Sequence, residues 1–351
     1  MNVPHPVTSP QAPPQPLSQR TPDVPAGQLL AGFVPPRHFA DASFDSYHPD
    51  PGHPSQQEAR DRLQAVSDEL RRPQPTSWWR RAPRTPPVAL YLDGGFGVGK
   101  THLLAALAHA VGPQAATYGT FVEYTHLVGA LGFAPTVKAL SRRRLVCIDE
   151  FELDDPGDTV LMSRLLRELA DAGVALAATS NTLPESLGEG RFAAEDFLRE
   201  IQALAARFEV RRIDGPDYRH RDAPRAERGL EDEVVRAACA VVEGATCDDF
   251  TDVTAHLRTV HPSRYGAMLE GVRAVGLVGV GPVTDQADAL RLVVLVDRLY
   301  DLDVPVLLGG QGTEGLFSAT MLNGGYRKKY LRSLSRLGAL AEQGAVLARQ
   351  G

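Results

Sequence analysis

An α/β fold, a parallel sheet sandwiched by helices with a smaller mixed α/β module after it, is the architecture this sequence predicts. Three observations carry that expectation. Short apolar runs alternate with helical patterns from Val88 to Ile213, a glycine-rich turn joins the first run to the next helix, and the chain becomes charged and Ala-rich after Tyr218-Arg-His-Arg221. Strands alternating with helices pair in parallel because each crossover helix covers a sheet face.

The 351 residues allow two domains. Residues 1–36 hold ten prolines among Gln, Ser and Thr. So few large apolar groups cannot offset ordering entropy, and residues 1–37 are expected to be a disordered Pro-rich tail. Residues 38–87 read as a helical and loop segment, with a helix from Ser55 to Arg71 N-capped by Ser55. The Pro- and Arg-rich loop after it carries Trp78-Trp79, expected to dock on its own domain. The core spans residues 88–222. Val88–Leu92 is a buried strand, and Thr101–Val111 is a helix stopped by Gly112-Pro113. Thr120–Tyr124 and Leu145–Ile148 are further strands, Thr159–Ala172 is a helix ended by Gly173, and Val174–Thr179 and Phe208–Ile213 complete five strands. Residues 223–351 read as a lid-like α/β module, with strands at Ala274–Val280 and Val304–Leu308 and a helix at Gln286–Tyr300.

Composition narrows the function classes. Forty-three per cent of residues are hydrophobic and 23% charged, a globular balance. The net charge of −6 argues against nucleic acid as the partner. No apolar run is long enough to span a membrane, and no basic start followed by an apolar core marks a secretory signal. Three cysteines without CxxC spacing fit a reducing, cytoplasmic setting. Neither HExxH nor GxSxG occurs.

Gly94-Gly95-Phe96-Gly97-Val98-Gly99-Lys100-Thr101 matches GxxxxGK[ST] without a mismatch. Glycines let the backbone wrap closely around phosphates. Its N–H groups and the dipole of the following helix, which continues through His102, favour the negative charge. Lys100 supplies a point charge to the β- and γ-phosphates of ATP, and the Thr101 hydroxyl is a Mg²⁺ ligand. Lysine occurs at only four positions (100, 138, 328 and 329) in a chain that otherwise uses arginine.

Asp149 and Glu150 follow the apolar run Leu145–Ile148, where ligands bind in open α/β sheets. Asp149 is expected to hold Mg²⁺, and Glu150 to orient and polarise the attacking water. Asn181, at the tip of the fourth strand, is expected beside Asp149 to help hold that water. Hydrolysis also benefits from an arginine, often donated by a neighbouring subunit. Arg191 and Arg207 are the leading candidates, ahead of Arg199. Arg332 and Arg336, four apart, share a helix face, and one of them could reach the nucleotide.

Gly94–Thr101, Ile148-Asp-Glu-Phe151, Ala178-Thr-Ser-Asn181 and Asp217-Tyr-Arg-His-Arg221 together resemble the ZapE cell-division ATPases and their mitochondrial lactation-elevated relatives. Arg291–Asp301 and Ser335-Arg-Leu337 extend the likeness across residues 38–340. The chain departs from that pattern at Glu152, where glutamine is expected, and in Gly119–Phe133, which lacks the basic His/Arg-rich stretch expected there. The resemblance implies an AAA+-like P-loop NTPase, with Asn181 as first sensor and Arg336 as second sensor. It also implies a nucleotide-dependent homo-oligomer acting on the division ring protein FtsZ or another cell-division protein, with membrane association only through partners. The expected function is Mg²⁺-dependent hydrolysis of ATP coupled to remodelling of a protein. An ATP-dependent nucleic-acid loader and a non-hydrolysing ATP-binding scaffold are the alternatives.

Overall fold

Five segments pair side by side in the first half of the chain: Ala89–Gly94 (β1), Ala116–Thr120 (β2), Leu145–Asp149 (β3), Ala175–Ser180 (β4) and Glu209–Ile213 (β5). All are parallel, in the order β2-β3-β4-β1-β5. The computed structural model describes residues 15–72, 87–95, 97–151, 156–181, 206–215 and 228–350, so Trp78-Trp79 and Glu152 lie outside the described residues. Two compact units emerge, Val24–Ala223 and the combination of Met1–Asp23 with Pro224–Gly351.

Strand side chains alternate between two cores, as the pleat requires. Leu90, Leu92, Leu145, Cys147, Ala175 and Ala177 face Pro54–Arg71 (α1) and Lys100–Val111 (α2). Tyr91, Val146, Ile148, Leu176 and Ala178 face Phe121–Leu131 (α3), Phe133–Leu140 (α4) and Pro156–Asp171 (α5). Full burial of each large aliphatic side chain contributes about 1.5–3 kcal/mol. Apolar surface on both faces is what makes a solvent-facing arrangement of these strands unfavourable.

Three expectations are corrected. The helix α1 begins at Pro54 behind His53, so Ser55 is not its N-cap, and the Ser55 hydroxyl instead accepts from the Asp214 N–H (2.9 Å). The second strand runs over Ala116–Thr120, and Thr120–Tyr124 instead opens α3. Thr120 is the N-cap: its hydroxyl accepts from the Glu123 N–H (3.3 Å), and the Glu123 carboxylate accepts from the Thr120 N–H (2.6 Å). This reciprocal box satisfies two N-terminal donors and outweighs the strand propensity of Thr, Phe and Val. The chain also packs well before residue 38. Residues 1–14 lie outside the described residues, but Leu17, Leu29 and Phe33 are buried. The Phe33 carbonyl accepts from the Tyr118 N–H (2.9 Å) and so covers the open edge of β2. Tyr118 and Phe33 therefore fix the entry of the chain into the sheet.

The other unit carries a three-stranded parallel sheet of Ala245–Asp249 (β6), Ala274–Val278 (β7) and Val306–Leu308 (β8), in that order. Asp232–Val241 (α6) packs on one face, with Phe250–Leu257 (α7) and Gln286–Asp301 (α8) on the other. Arg327–Gln350 (α9) ends the described chain. Sequence patterning misses β6, whose Ala-Thr-Cys-Asp-Asp run is short of large apolar residues. Among the described residues no helix is long and apolar enough to cross a membrane.

A charged clamp joins α1 to the edge strand β5. Arg62 donates from Nε (2.9 Å) and Nη2 (2.6 Å) to the Glu209 carboxylate, which Arg211 also engages through Nε (2.9 Å). The hydrogen bonds from Arg62, with help from Arg211, hold the Glu209 carboxyl down at about 2. A depressed carboxyl stabilises the fold above its unfolded value and loses that contribution as the pH falls towards its folded value. Half-exposed, the clamp contributes about 0.5–1 kcal/mol. Glu209→Gln should therefore lower the thermal midpoint at neutral pH, with the gap to wild type closing as the pH drops from about 4.5 to about 2. Melting curves across that range test it, and a gap independent of pH would contradict the clamp.

Candidate active site

The loop after β1 wraps before α2 begins at Lys100. Gly99 sits at φ +87°, and a Cβ there would collide with the Tyr47 ring, so only glycine fits this turn. Tyr47 locks the loop from outside by donating its hydroxyl to the Val98 carbonyl (3.0 Å), and burial pushes that hydroxyl up to about 12. Lys100 is buried and reaches back into the loop, where Nζ donates to the Gly94 (2.7 Å) and Gly95 (2.6 Å) carbonyls. His102 turns away: its Nε2 meets the Ser46 hydroxyl (3.0 Å) and the Ser43 carbonyl (3.1 Å), and its ring lies 5.7 Å from that of Tyr47. Phe96 lies outside the described residues.

Asp149 ends β3 in a buried position and gathers donors from four directions. Thr101 reaches Oδ1 through its hydroxyl (3.3 Å), and the Glu150 N–H donates to the same oxygen (3.1 Å). Thr179 of β4 donates its hydroxyl to Oδ1, while Tyr118 of β2 donates to Oδ2 (2.7 Å). Burial pushes the Asp149 carboxyl above its ordinary range, the nearby Glu150 carboxylate adds to the rise, and the hydroxyl donors oppose it. Burial and the adjacent Asp149 raise the Tyr118 phenol too, which keeps it a donor. A hydroxyl and a carboxylate this close suit a hard divalent cation such as Mg²⁺, which prefers oxygen ligands.

Glu150 stands one residue on, at φ +53°. A left-handed conformation is costly for a residue with a Cβ and persists where surrounding contacts impose it. Here its N–H is shared between Asp149 Oδ1 and Thr179 Oγ1 (3.1 Å each). The next residue, Phe151, donates its N–H to the Thr179 carbonyl (2.7 Å) and buries its ring against Phe121 (5.2 Å) and Tyr91 (6.1 Å). The chain is thus bent sharply at Glu150 between two fixed neighbours. Glu150 is half-buried, and its carboxylate is near enough to Asp149 to raise that group.

The structure brings Gly94, Lys100, Thr101, Asp149 and Glu150 together at the carboxyl ends of β1 and β3. Asn181 follows directly after β4, but Thr179, two residues earlier, makes the bond to Asp149. Arg207 does not join the cluster. It precedes β5 at the amino end of the sheet, where it pairs with exposed Asp171 (3.4 Å). Arg191 and Arg199 lie outside the described residues. In the other unit, Arg336 and Arg332 share Asp297 (2.6 and 2.9 Å), and Arg336 stacks on Tyr300 at 5.0 Å. Sequence reasoning missed Tyr118 and Thr179. Thr179 lay in the segment already singled out, and Tyr118 would have followed from the Thr120/Glu123 box, which ends the strand just after it.

Comparison with known proteins identifies a family. The model of the family described as AFG1-like ATPase matches residues 24–240 and 228–350. Cell division protein ZapE of Escherichia coli (strain K12) is 28% identical over 201 residues, 50% of this chain and 54% of that protein. Lactation elevated protein 1 homolog B of Danio rerio is 26% identical over 200 residues, 47% of this chain and 39% of that protein. The chain spans about half the length or less of these curated relatives. Among solved structures, DnaI aligns with a TM-score of 0.39 and 19% identity over 51% of this chain and 94% of its own.

Tyr118→Phe should leave the sheet intact but strip one donor from a buried carboxylate oxygen. Leaving such a group unpaired costs about 1–3 kcal/mol. Urea unfolding without nucleotide should show that loss, and an unchanged midpoint would mean the phenol contributes nothing.

Proposed function

The chain belongs to the AFG1-like ATPase family, and from that premise we propose that it hydrolyses ATP to ADP and phosphate and uses the cycle to remodel a protein partner. One observation carries the reading: the Lys100-Thr101 loop and the Asp149-Glu150 pair converge, through the Thr101–Asp149 contact of 3.3 Å. Main-chain N–H groups of residues 94–99 and the start of α2 take the phosphates. To do so, Lys100 exchanges its carbonyl partners Gly94 and Gly95 for phosphate oxygens. Thr101 and Asp149 hold Mg²⁺, which when bound neutralises charge on the phosphate oxygens. Glu150, aimed by its bent backbone, orients a water and takes its proton. Thr179 and Tyr118 keep Asp149 in place, and Asn181, directly after β4, helps hold the water.

Arg191 and Arg207 are the candidates for the transition-state arginine, contributed by a neighbouring copy in a nucleotide-dependent homo-oligomer. Similarity to Cell division protein ZapE supports a cell-division protein as the partner, with FtsZ as the one the resemblance implies, in the cytoplasm. Co-sedimentation of FtsZ with the ATP-loaded Glu150→Gln protein tests that assignment.

Lys100→Ala should abolish binding of a fluorescent ATP analogue. Glu150→Gln should bind it with about wild-type affinity yet lose roughly 10²–10⁴-fold in kcat. Wild-type turnover by Glu150→Gln would remove Glu150 from the chemistry.

A further inference from the structure

Residues 15–22 precede the family match, which begins at Val24, yet they are held on the unit of residues 224–351 by specific contacts. Leu17 is fully buried among Phe250, Val253, Leu257 and Val275. The Asp248 carboxylate, itself buried, accepts from the Leu17 N–H (3.0 Å), the Ser18 N–H (2.9 Å) and the Ser18 hydroxyl (2.7 Å). Arg20 donates through Nη1 to the Met268 (2.9 Å) and Glu270 (3.0 Å) carbonyls, and His256 Nε2 donates to the Arg20 carbonyl (2.8 Å). Arg264 reaches the Pro22 carbonyl (3.3 Å).

This is peptide recognition in form. One aliphatic plug fills a pocket, a carboxylate captures two successive main-chain N–H groups of a single turn, and His256 and Arg264 satisfy carbonyls just after it. Beyond the single turn Leu17–Gln19 the segment has no regular structure, and it forms no sheet pairing. The fold of the unit therefore does not depend on a strand that only this segment can supply. Four of these seven polar contacts are to main-chain atoms of the segment, so a different polypeptide with the same few side chains meets the same site.

We propose that the face around Asp248, His256 and the Met268–Glu270 carbonyls is a docking site for a short peptide of the form aliphatic–Ser–x–Arg folded into a single turn, and that residues 17–20 fill it in cis. A tethered occupant acts at an effective concentration in the millimolar range, so a competing segment displaces it only when it is concentrated or binds more tightly.

A fluorescein-labelled peptide of residues 15–23, titrated into the full chain and followed by anisotropy, tests this. Leu17→Asp in the full chain vacates the pocket, because a carboxylate cannot be buried there unpaired. That variant should bind the peptide at least about tenfold more tightly than wild type does. Binding should be lost when Asp248→Ala is added or when the peptide itself carries Leu17→Asp. Slow hydrogen exchange at Ala274–Val278 confirms that the unit is folded. No binding to a folded Leu17→Asp chain overturns the proposal. Should Leu17→Asp not fold, the surface double variant Ser18→Ala/Arg20→Ala decides: tighter peptide binding than wild type supports the site, and equal binding overturns it.

Discussion

A single buried carboxylate, that of Asp149, is the constraint on which the rest of the site depends. A carboxylate taken out of water is tolerable only if its oxygens are satisfied. Here the donors come from β2 (Tyr118), β4 (Thr179), the loop helix (Thr101) and the adjoining backbone (Glu150). Satisfying that group draws three neighbouring strand ends and the phosphate loop to one point. The same requirement explains why Glu150 is bent into a left-handed conformation, since its N–H must turn back towards Asp149 and Thr179.

The sheet alone does not hold the loop. Tyr47 closes on Val98 and abuts Gly99, while Ser43 and Ser46 engage His102, so a segment upstream of β1 braces the loop and the first turn of α2. Phe33 performs a similar service at β2, taking the Tyr118 N–H while the Tyr118 phenol reaches Asp149. Rigid supports of this kind keep reacting groups where chemistry needs them, as positional errors of an ångström are costly.

Where local chemistry decided the structure, the sequence was readable. The loop motif between an apolar strand and an Ala-rich helix marked Gly94–Thr101, and the acidic pair after Leu145–Ile148 marked the opposite wall. The second strand was displaced because Thr120, Phe121 and Val122 favour strands, whereas a capping box written in two side chains made them a helix start. Tyr118 was hidden by that displacement. Leu17 was unreadable because its value lies in partners some 230 residues away, which composition cannot reveal. Within one chain Arg207 lies apart from the loop for a topological reason: it stands at the amino end of β5, whereas the loop lies beside the carboxyl end, at Gly94 opposite Ile213, so any role at a nucleotide would be at a neighbouring copy.

The central claim is that Asp149 joins the phosphate loop and Glu150 into one hydrolytic site. Multiple-turnover phosphate release from ATP by the full chain, with Asp149→Ala measured in parallel, tests it most directly. Sustained release that stops on chelating divalent cations and is lost in Asp149→Ala is the expected result. Stoichiometric ATP binding by the wild type with no release beyond the first turnover, or equal release from both proteins, would contradict it.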